Sequence, residues 1–368
     1  MGTLAAVVSG TQVRAAISVS VVLVAAFVVT GFLSASYTRA RELRGREHYE
    51  RGQALASSGQ VQSAAEEYRK ALLFMPDDTD YRISLCVALV ELGRLNEAES
   101  HLQELAQEDP TDGLVNVMLA RVAVKRKRPA QAIEYFQRAV YGYWPRERLP
   151  ARYAARWELV SLLERQNRRT ELTGELLQLY ANTTGGAKEK SKIGFLLLQY
   201  GAISDAMNVF REVSRESPRD AGAFYGMGQA HFDQGDYIEA RREYQRAVRL
   251  EPSNRQYAQQ LAFVTSVIEM DPFLPRLKAA ERLRKSRAFL NRVVSDLEAC
   301  APQSGTASPA ESITDAKKLA ASSSNDPDQL SDALQNATAQ LWNNRETLCG
   351  AKARPDQVVE TVLARMAP

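Results

Sequence analysis

An all-α solenoid of helix–turn–helix repeats, tethered by one N-terminal transmembrane helix, is the fold class the sequence predicts. Three observations predict it. A 34-residue pattern of small and apolar residues recurs six times between residues 45 and 254. The stretch Ala15 to Ser36 carries no charge. Beyond residue 254, apolar side chains recur at helical spacing. Composition fits a folded protein, at 45% hydrophobic and 25% charged residues. The net charge of +3 provides no bulk field that would select nucleic acid.

The chain is taken in order. Residues 1–14 are a short tail with the single charge Arg14. Residues 15–36 form the predicted transmembrane helix, because an uncharged helix of that length spans a hydrocarbon core of roughly 30 Å. Val19 to Leu33 are almost wholly apolar. The alternative is a cleaved signal peptide ending near Ser34-Ala35-Ser36, but its apolar region would be unusually long. Residues 37–44 are predicted as a juxtamembrane linker. Arg39, Arg41, Arg44 and Arg46 follow the span, and the positive-inside rule then favours repeats on the cytoplasmic side. Cys300 and Cys349 point the other way. In a periplasmic protein they form a possible disulfide, closing a loop worth roughly 4 kcal/mol in the chain-entropy model.

The repeats occupy 45–78, 79–112, 113–146, 153–186, 187–220 and 221–254. At repeat positions 8, 15, 20, 24, 27 and 32 the first gives Gly52, Gly59, Ala64, Tyr68, Ala71 and Pro76. The sixth gives Gly228, Gly235, Ala240, Tyr244, Ala247 and Pro252. The second and fifth keep the pattern from Cys86 to Pro110 and from Gly194 to Pro218. The third has Lys127 in place of the glycine at position 15, and the fourth keeps only the apolar spacing of Val160, Leu163, Leu172, Leu176 and Leu179. Glu147 to Arg152 are inserted between them. A small residue at position 8 should face Ala at position 20 where two antiparallel helices cross closely. Glycine at position 15 ends the first helix in a left-handed conformation. Proline at position 32 stops the second.

This pattern resembles the tetratricopeptide repeat family, whose units stack because none can bury its apolar face alone. The resemblance implies a scaffold that binds other proteins and does no chemistry. It also implies that the first helix of each repeat lines a concave groove at positions 2, 5, 9 and 12. In this chain those positions are largely apolar and aromatic. Ile83, Val87, Val117, Arg121, Trp157, Phe195 and Tyr225 are the candidate partner-binding residues. Such a surface suits an apolar peptide or amphipathic helix. The alternative is that several of these side chains are covered by adjacent repeats or by the C-terminal helices. One subgroup of the family clamps a C-terminal carboxylate with Lys and Asn, and only Arg121 resembles that set.

Residues 255–300 are predicted as capping helices, with a break at Asp271-Pro272. Residues 301–312, rich in Pro, Ser, Ala and Gly, are predicted as a linker. Residues 313–368 form a C-terminal helical segment, including helices over 328–348 and 355–366.

No catalytic, cofactor or metal motif stands out. His48 and His231 fall on the inner face of first helices, where packing is the simpler role. No Cys-x-x-Cys or His-Glu-x-x-His spacing occurs, nor a phosphate loop or nucleophile elbow. Gly226-Met227-Gly228 is explained by helix packing. The run Lys125-Arg126-Lys127-Arg128 sits at a repeat turn, where a solvated loop is expected. The sequence therefore predicts a membrane-anchored, non-enzymatic scaffold with protein partners, no cofactor, no nucleic acid and no small-molecule substrate. The alternatives are a structural subunit of a membrane complex or a non-catalytic accessory subunit of a membrane or envelope enzyme.

Overall fold

The computed structural model describes residues 10–300, 307–349 and 356–365. Among them are eighteen α-helices. The chain divides into two compact units, Met1–Glu175 and Leu176–Pro368.

Unit 1 begins with α1, Gly10–Ser57, a single helix of 48 residues. The predicted linker over 37–44 is helical and continuous with both its neighbours. The reason is a contact the sequence hides. Arg41 donates from Nε and Nη2 to the carbonyl of Phe74, at 3.1 and 2.7 Å, and so caps the end of α2 (Val61–Phe74). Beyond Arg41, α1 is the first helix of repeat one. Helices α3 (Thr79–Glu91) and α4 (Leu95–Glu108) form the second repeat, α5 (Gly113–Lys125) and α6 (Pro129–Tyr141) the third. A short 3-10 turn, Arg146–Arg148, absorbs the insertion and leads into α7 (Leu149–Arg165) and α8 (Arg169–Asn182). The boundary between the units falls inside α8.

All six repeats share one turn geometry. Position 15 has positive φ in each: Gly59 (78°), Gly93 (74°), Lys127 (58°), Asn167 (54°), Gly201 (81°) and Gly235 (79°). The next residue's N–H reaches back five residues to a carbonyl, as Gln60 to Leu55 (2.9 Å) and Arg168 to Leu163 (3.0 Å). This is the Schellman ending that favours glycine. Its presence at Asn167 puts the weak fourth repeat in register. Asn tolerates the left-handed region, whereas Lys127 adopts it at a steric cost.

The close approach at position 8 differs from the expected one. In the repeats with glycine there, the nearest atoms belong to the aromatic at position 24, while in the second repeat Cys86 Sγ lies 3.8 Å from the carbonyl of Ala98 at position 20. A Cβ on Gly52, Gly194 or Gly228 would stand 2.6, 2.8 or 2.6 Å from Tyr68, Phe210 or Tyr244 respectively. Where position 24 is Leu102, position 8 can be Cys86. The position-20 alanines are nonetheless fully buried.

A further regularity was legible but is absent from the family positions used above. Two residues after the proline stands Asp or Asn, which caps the next first helix. Tyr81 N–H donates to Asp78 at 3.0 Å, Val115 to Asp112 at 2.9 Å, Ala223 to Asp220 at 2.8 Å and Gln256 to Asn254 at 3.2 Å.

Unit 2 holds the fifth and sixth repeats, α9 (Ala187–Gln199), α10 (Ile203–Glu216), α11 (Ala221–Asp233) and α12 (Tyr237–Leu250). Helix α13 (Arg255–Met270) packs on α12 as the predicted cap, and α14 (Ala279–Cys300) follows. The remaining helices are α15 (Ala307–Ala321), α16 (Pro327–Asn343), α17 (Arg345–Cys349) and α18 (Gln357–Leu363). Residues 307–312, predicted as linker, are helical, and the predicted helix over 328–348 breaks at Asn344. Residues 301–306 of that linker lie outside the described residues. The C-terminal helices dock on the cap rather than standing apart. One core runs from Tyr225 and Tyr244 through Val264, Phe289 and Leu334 to Val359. Asp271, fully buried, accepts from Arg365 at 2.6 Å, which ties the end of the chain to the end of α13.

Candidate binding groove

The seven candidate groove residues divide by burial rather than by repeat position, since the half-buried Trp157 shares position 5 with three buried ones. Ile83, Val117 and Tyr225 occupy position 5 and are buried, at 6%, 2% and 7% exposure. The physical reason is stacking of successive first helices. Tyr49, also at position 5, stacks on Tyr81 at 4.4 Å, and Tyr225 stacks on Tyr257 at 4.7 Å. Gln256 also donates to the Tyr225 hydroxyl at 3.1 Å. These three side chains therefore pack neighbouring helices and present almost no free surface. Val87 and Arg121 are exposed, while Trp157 and Phe195 are half-buried.

In unit 1 a cavity of about 410 Å³ opens on the first helices, lined by Val90, Val124 and Phe136 with Trp157. Tyr153 meets the Trp157 ring edge-on at 6.5 Å and fixes its orientation. Arg121 spans from α5 to α7 as a fork, donating to both carboxylate oxygens of Glu158 at 3.1 and 2.5 Å. That hydrogen bond raises the already high pKa of the guanidinium. Arg121 is thus committed to Glu158, which removes the one candidate for a carboxylate clamp. Lys125 and Arg165 line the same cavity. Three cations against one carboxylate, around an indole, suit an apolar side chain with an acidic neighbour.

In unit 2 a larger cavity of about 1040 Å³ is lined by Phe195, Leu196, Tyr257 and Lys188. Ser191 also lines it, and its buried Oγ has no hydrogen-bond partner among the described residues. A buried hydroxyl left without a partner costs about 1–3 kcal/mol, so a ligand that supplies one gains by binding there.

Among the described residues no three His, Cys, Asp or Glu side chains are grouped to hold a metal ion. His48 packs flat on Phe74 at 5.7 Å, with Nδ1 2.7 Å from Glu67. Arg126 and Arg128 of the basic turn both lie near Glu99, at 2.9 and 3.9 Å. Cys86 is a free, buried thiol, and burial pushes its pKa up to about 12. Cys349 is disulfide-bonded. The Cys300 side chain lies outside the described residues.

One helix among the described residues is long and apolar enough to cross a membrane, the segment of α1 near the N-terminus. Its large apolar side chains, among them Leu23, Phe27, Phe32 and Leu33, are 56–79% exposed. Among the described residues, none covers them.

Comparison with known proteins identifies the repeats. Residues 55–122, 93–142 and 221–254 match the tetratricopeptide repeat family. The chain carries tetratricopeptide repeats, and such repeats mediate contacts between proteins. It is 28% identical over 216 residues to the "Cellulose synthase 2 operon protein C" of Komagataeibacter xylinus, a match covering 50% of this chain. This chain spans only 16% of the length of that relative. Among solved structures it is similar to YrrB, described as a TPR protein with an unusual peptide-binding site. That match has 17% identity and a TM-score of 0.39, over 53% of this chain and 97% of the other. It is also similar to Pseudomonas aeruginosa pilF, with 15% identity and a TM-score of 0.39, over 61% of this chain and 99% of the other.

Proposed function

We propose that this tetratricopeptide-repeat chain is a membrane-anchored scaffold that holds an apolar segment of a partner protein against Trp157. The observation that carries this is the cavity between α5 and α7. A half-buried indole, the apolar Val124 and the exposed Val87 of α3 remain open on first helices whose other apolar side chains are used in packing. Trp is the type that most often dominates binding energy. In full-length protein solubilised from membranes, Trp157→Ala should weaken partner capture roughly 30-fold, the loss expected with about 2 kcal/mol at a hot spot. Melting should stay nearly unchanged. Unaltered capture with unaltered melting would move the site elsewhere.

The similarity to the cellulose synthase operon protein supports a second reading, a non-catalytic accessory subunit of a membrane or envelope enzyme system. The two readings are compatible, since an accessory subunit also needs a docking face.

The anchor is α1, retained uncleaved. Of the two sides the sequence leaves open, we assign the repeats to the oxidising one. Disulfides persist in oxidising compartments, and Cys349 is bonded. The arginines that favour the cytoplasm are partly used in folding, as Arg41 is in capping α2. Chain taken from membranes, acid-quenched and alkylated in denaturant should accept one maleimide, on Cys86. After reduction it should accept three. Three before reduction would place the repeats in the cytoplasm.

A further inference from the structure

Large apolar side chains that remain exposed in unit 1, outside the span of α1 itself, collect at one end of the repeats. Tyr37, Leu43, Leu73, Tyr141, Tyr143 and Leu149 are 44–79% exposed, and among the described residues only Val87 lies elsewhere. Contacts join their segments into one rim. Arg41 of α1 holds the carbonyl of Phe74. Gly45 faces Met75, Phe74 and Tyr81. Arg148 pairs with Asp80 at 2.6 Å, across 68 residues. Tyr143 N–H donates to Thr111 at 2.8 Å, and Gly113 N–H donates to Tyr143 at 3.0 Å. First helices start at this rim and second helices end at it.

The same rim is where α1 leaves the repeats toward its apolar segment. Because α1 is unbroken from Gly10 to Ser57, no hinge intervenes. From Ser36 to Arg41 the helix climbs about 8 Å, which is roughly the thickness of one headgroup layer. A rim at that height, studded with Leu and Tyr, lies where amphipathic rings favour the membrane interface. Its charge is mixed, with Asp77 and Asp80 beside Arg44 and Arg148, so apolar insertion rather than lipid charge is the attraction.

We propose that this rim rests in the headgroup layer of the bilayer that α1 spans, so that unit 1 sits upright on the membrane through Leu43, Leu73, Tyr143 and Leu149. The contact rests on the uncleaved anchor and deepens it, by fixing the orientation of the repeats and pointing the helix-pair turns, such as Gln60, away from lipid. Its chemistry is a lipid interface that need not be anionic.

The test uses full-length protein in phosphatidylcholine nanodiscs, spin-labelled at one introduced cysteine at a time. Leu73→Cys and Tyr143→Cys probe the rim, Gln60→Cys the far turn and Phe27→Cys the span. These rim positions are exposed, so labelling spares the fold, and Cys86 is buried. Labels at 73 and 143 should be several-fold less accessible to a water-soluble nickel chelate than the label at 60, yet accessible to oxygen. Equal nickel accessibility at 60, 73 and 143 overturns the proposal while leaving the anchor intact. Loss of both oxygen and nickel accessibility at 73 and 143 would mean a protein cover and also overturns it. A water-accessible label at 27 removes the anchor, and the proposal with it.

Discussion

Gly228→Leu is expected to destabilise the sixth repeat by about 3 kcal/mol or more, at the upper end of overpacking costs. A Cβ at this position would already stand 2.6–2.7 Å from the ring of Tyr244. Tyr244 cannot yield, because it is 1% exposed and lies 5.5 Å from Tyr225 in the aromatic stack. The same substitution at the partly exposed Glu239 should cost far less, about 1 kcal/mol at most including its lost pairing with Arg242. Thermal melting of the two variants checks both. The second repeat shows how a larger residue fits: position 24 is Leu102 instead of a ring, and position 8 is the buried Cys86. Gly228→Cys combined with Tyr244→Leu should therefore recover part of the stability that Gly228→Cys alone loses. If Gly228→Leu melts with Glu239→Leu, the packing assigned to position 8 is wrong.

Arg156→Met should cost unit 1 about 3–5 kcal/mol, the range for breaking a buried ion pair from one side. The Arg156 and Glu175 side chains are 5% and 7% exposed, with Nη1 3.5 Å from Oε2. Tyr141 donates to the other carboxylate oxygen at 2.8 Å, and its ring lies 5.2 Å from the guanidinium carbon. Removing the arginine leaves a buried carboxylate without the cation paired to it. The double variant Arg156→Met with Glu175→Met removes both desolvation costs and should recover most of the loss. Denaturant unfolding of the three proteins decides the matter. A double variant as unstable as Arg156→Met alone would show that packing, not charge, sets the cost.

What was legible in the sequence follows from periodicity. Residues fixed by local geometry, such as Gly59 at the turn or Pro76 after α2, recur every 34 positions and can be read directly. So could the uncharged run before Arg39. Pairings between helices were not legible. Arg156 and Glu175 are 19 residues apart on different helices, and Arg41 finds a carbonyl 33 residues away. Each looks like a solvated charge until the chain is folded. The groove was half legible for a related reason. At position 5 Trp157 stays half-open, and the buried Ile83, Val117 and Tyr225 look identical in sequence to a binding surface. Only the stacking of the next first helix shows that they are covered. Position 8 does meet the position-20 alanine in the second repeat, where Cys86 Sγ is 3.8 Å from the Ala98 carbonyl, but the family pattern does not record which ring lies over the gap.

The claim that a partner occupies the first-helix face of unit 1 is tested most directly by photocrosslinking in native membranes. A photoreactive residue is placed at Val87 or Trp157 on that face, and at the exposed Glu134 on the second helix α6. The account predicts a discrete adduct of the same partner from positions 87 and 157, and none from 134. Adducts from 134 alone would contradict it and put the contact on the opposite face of the repeats.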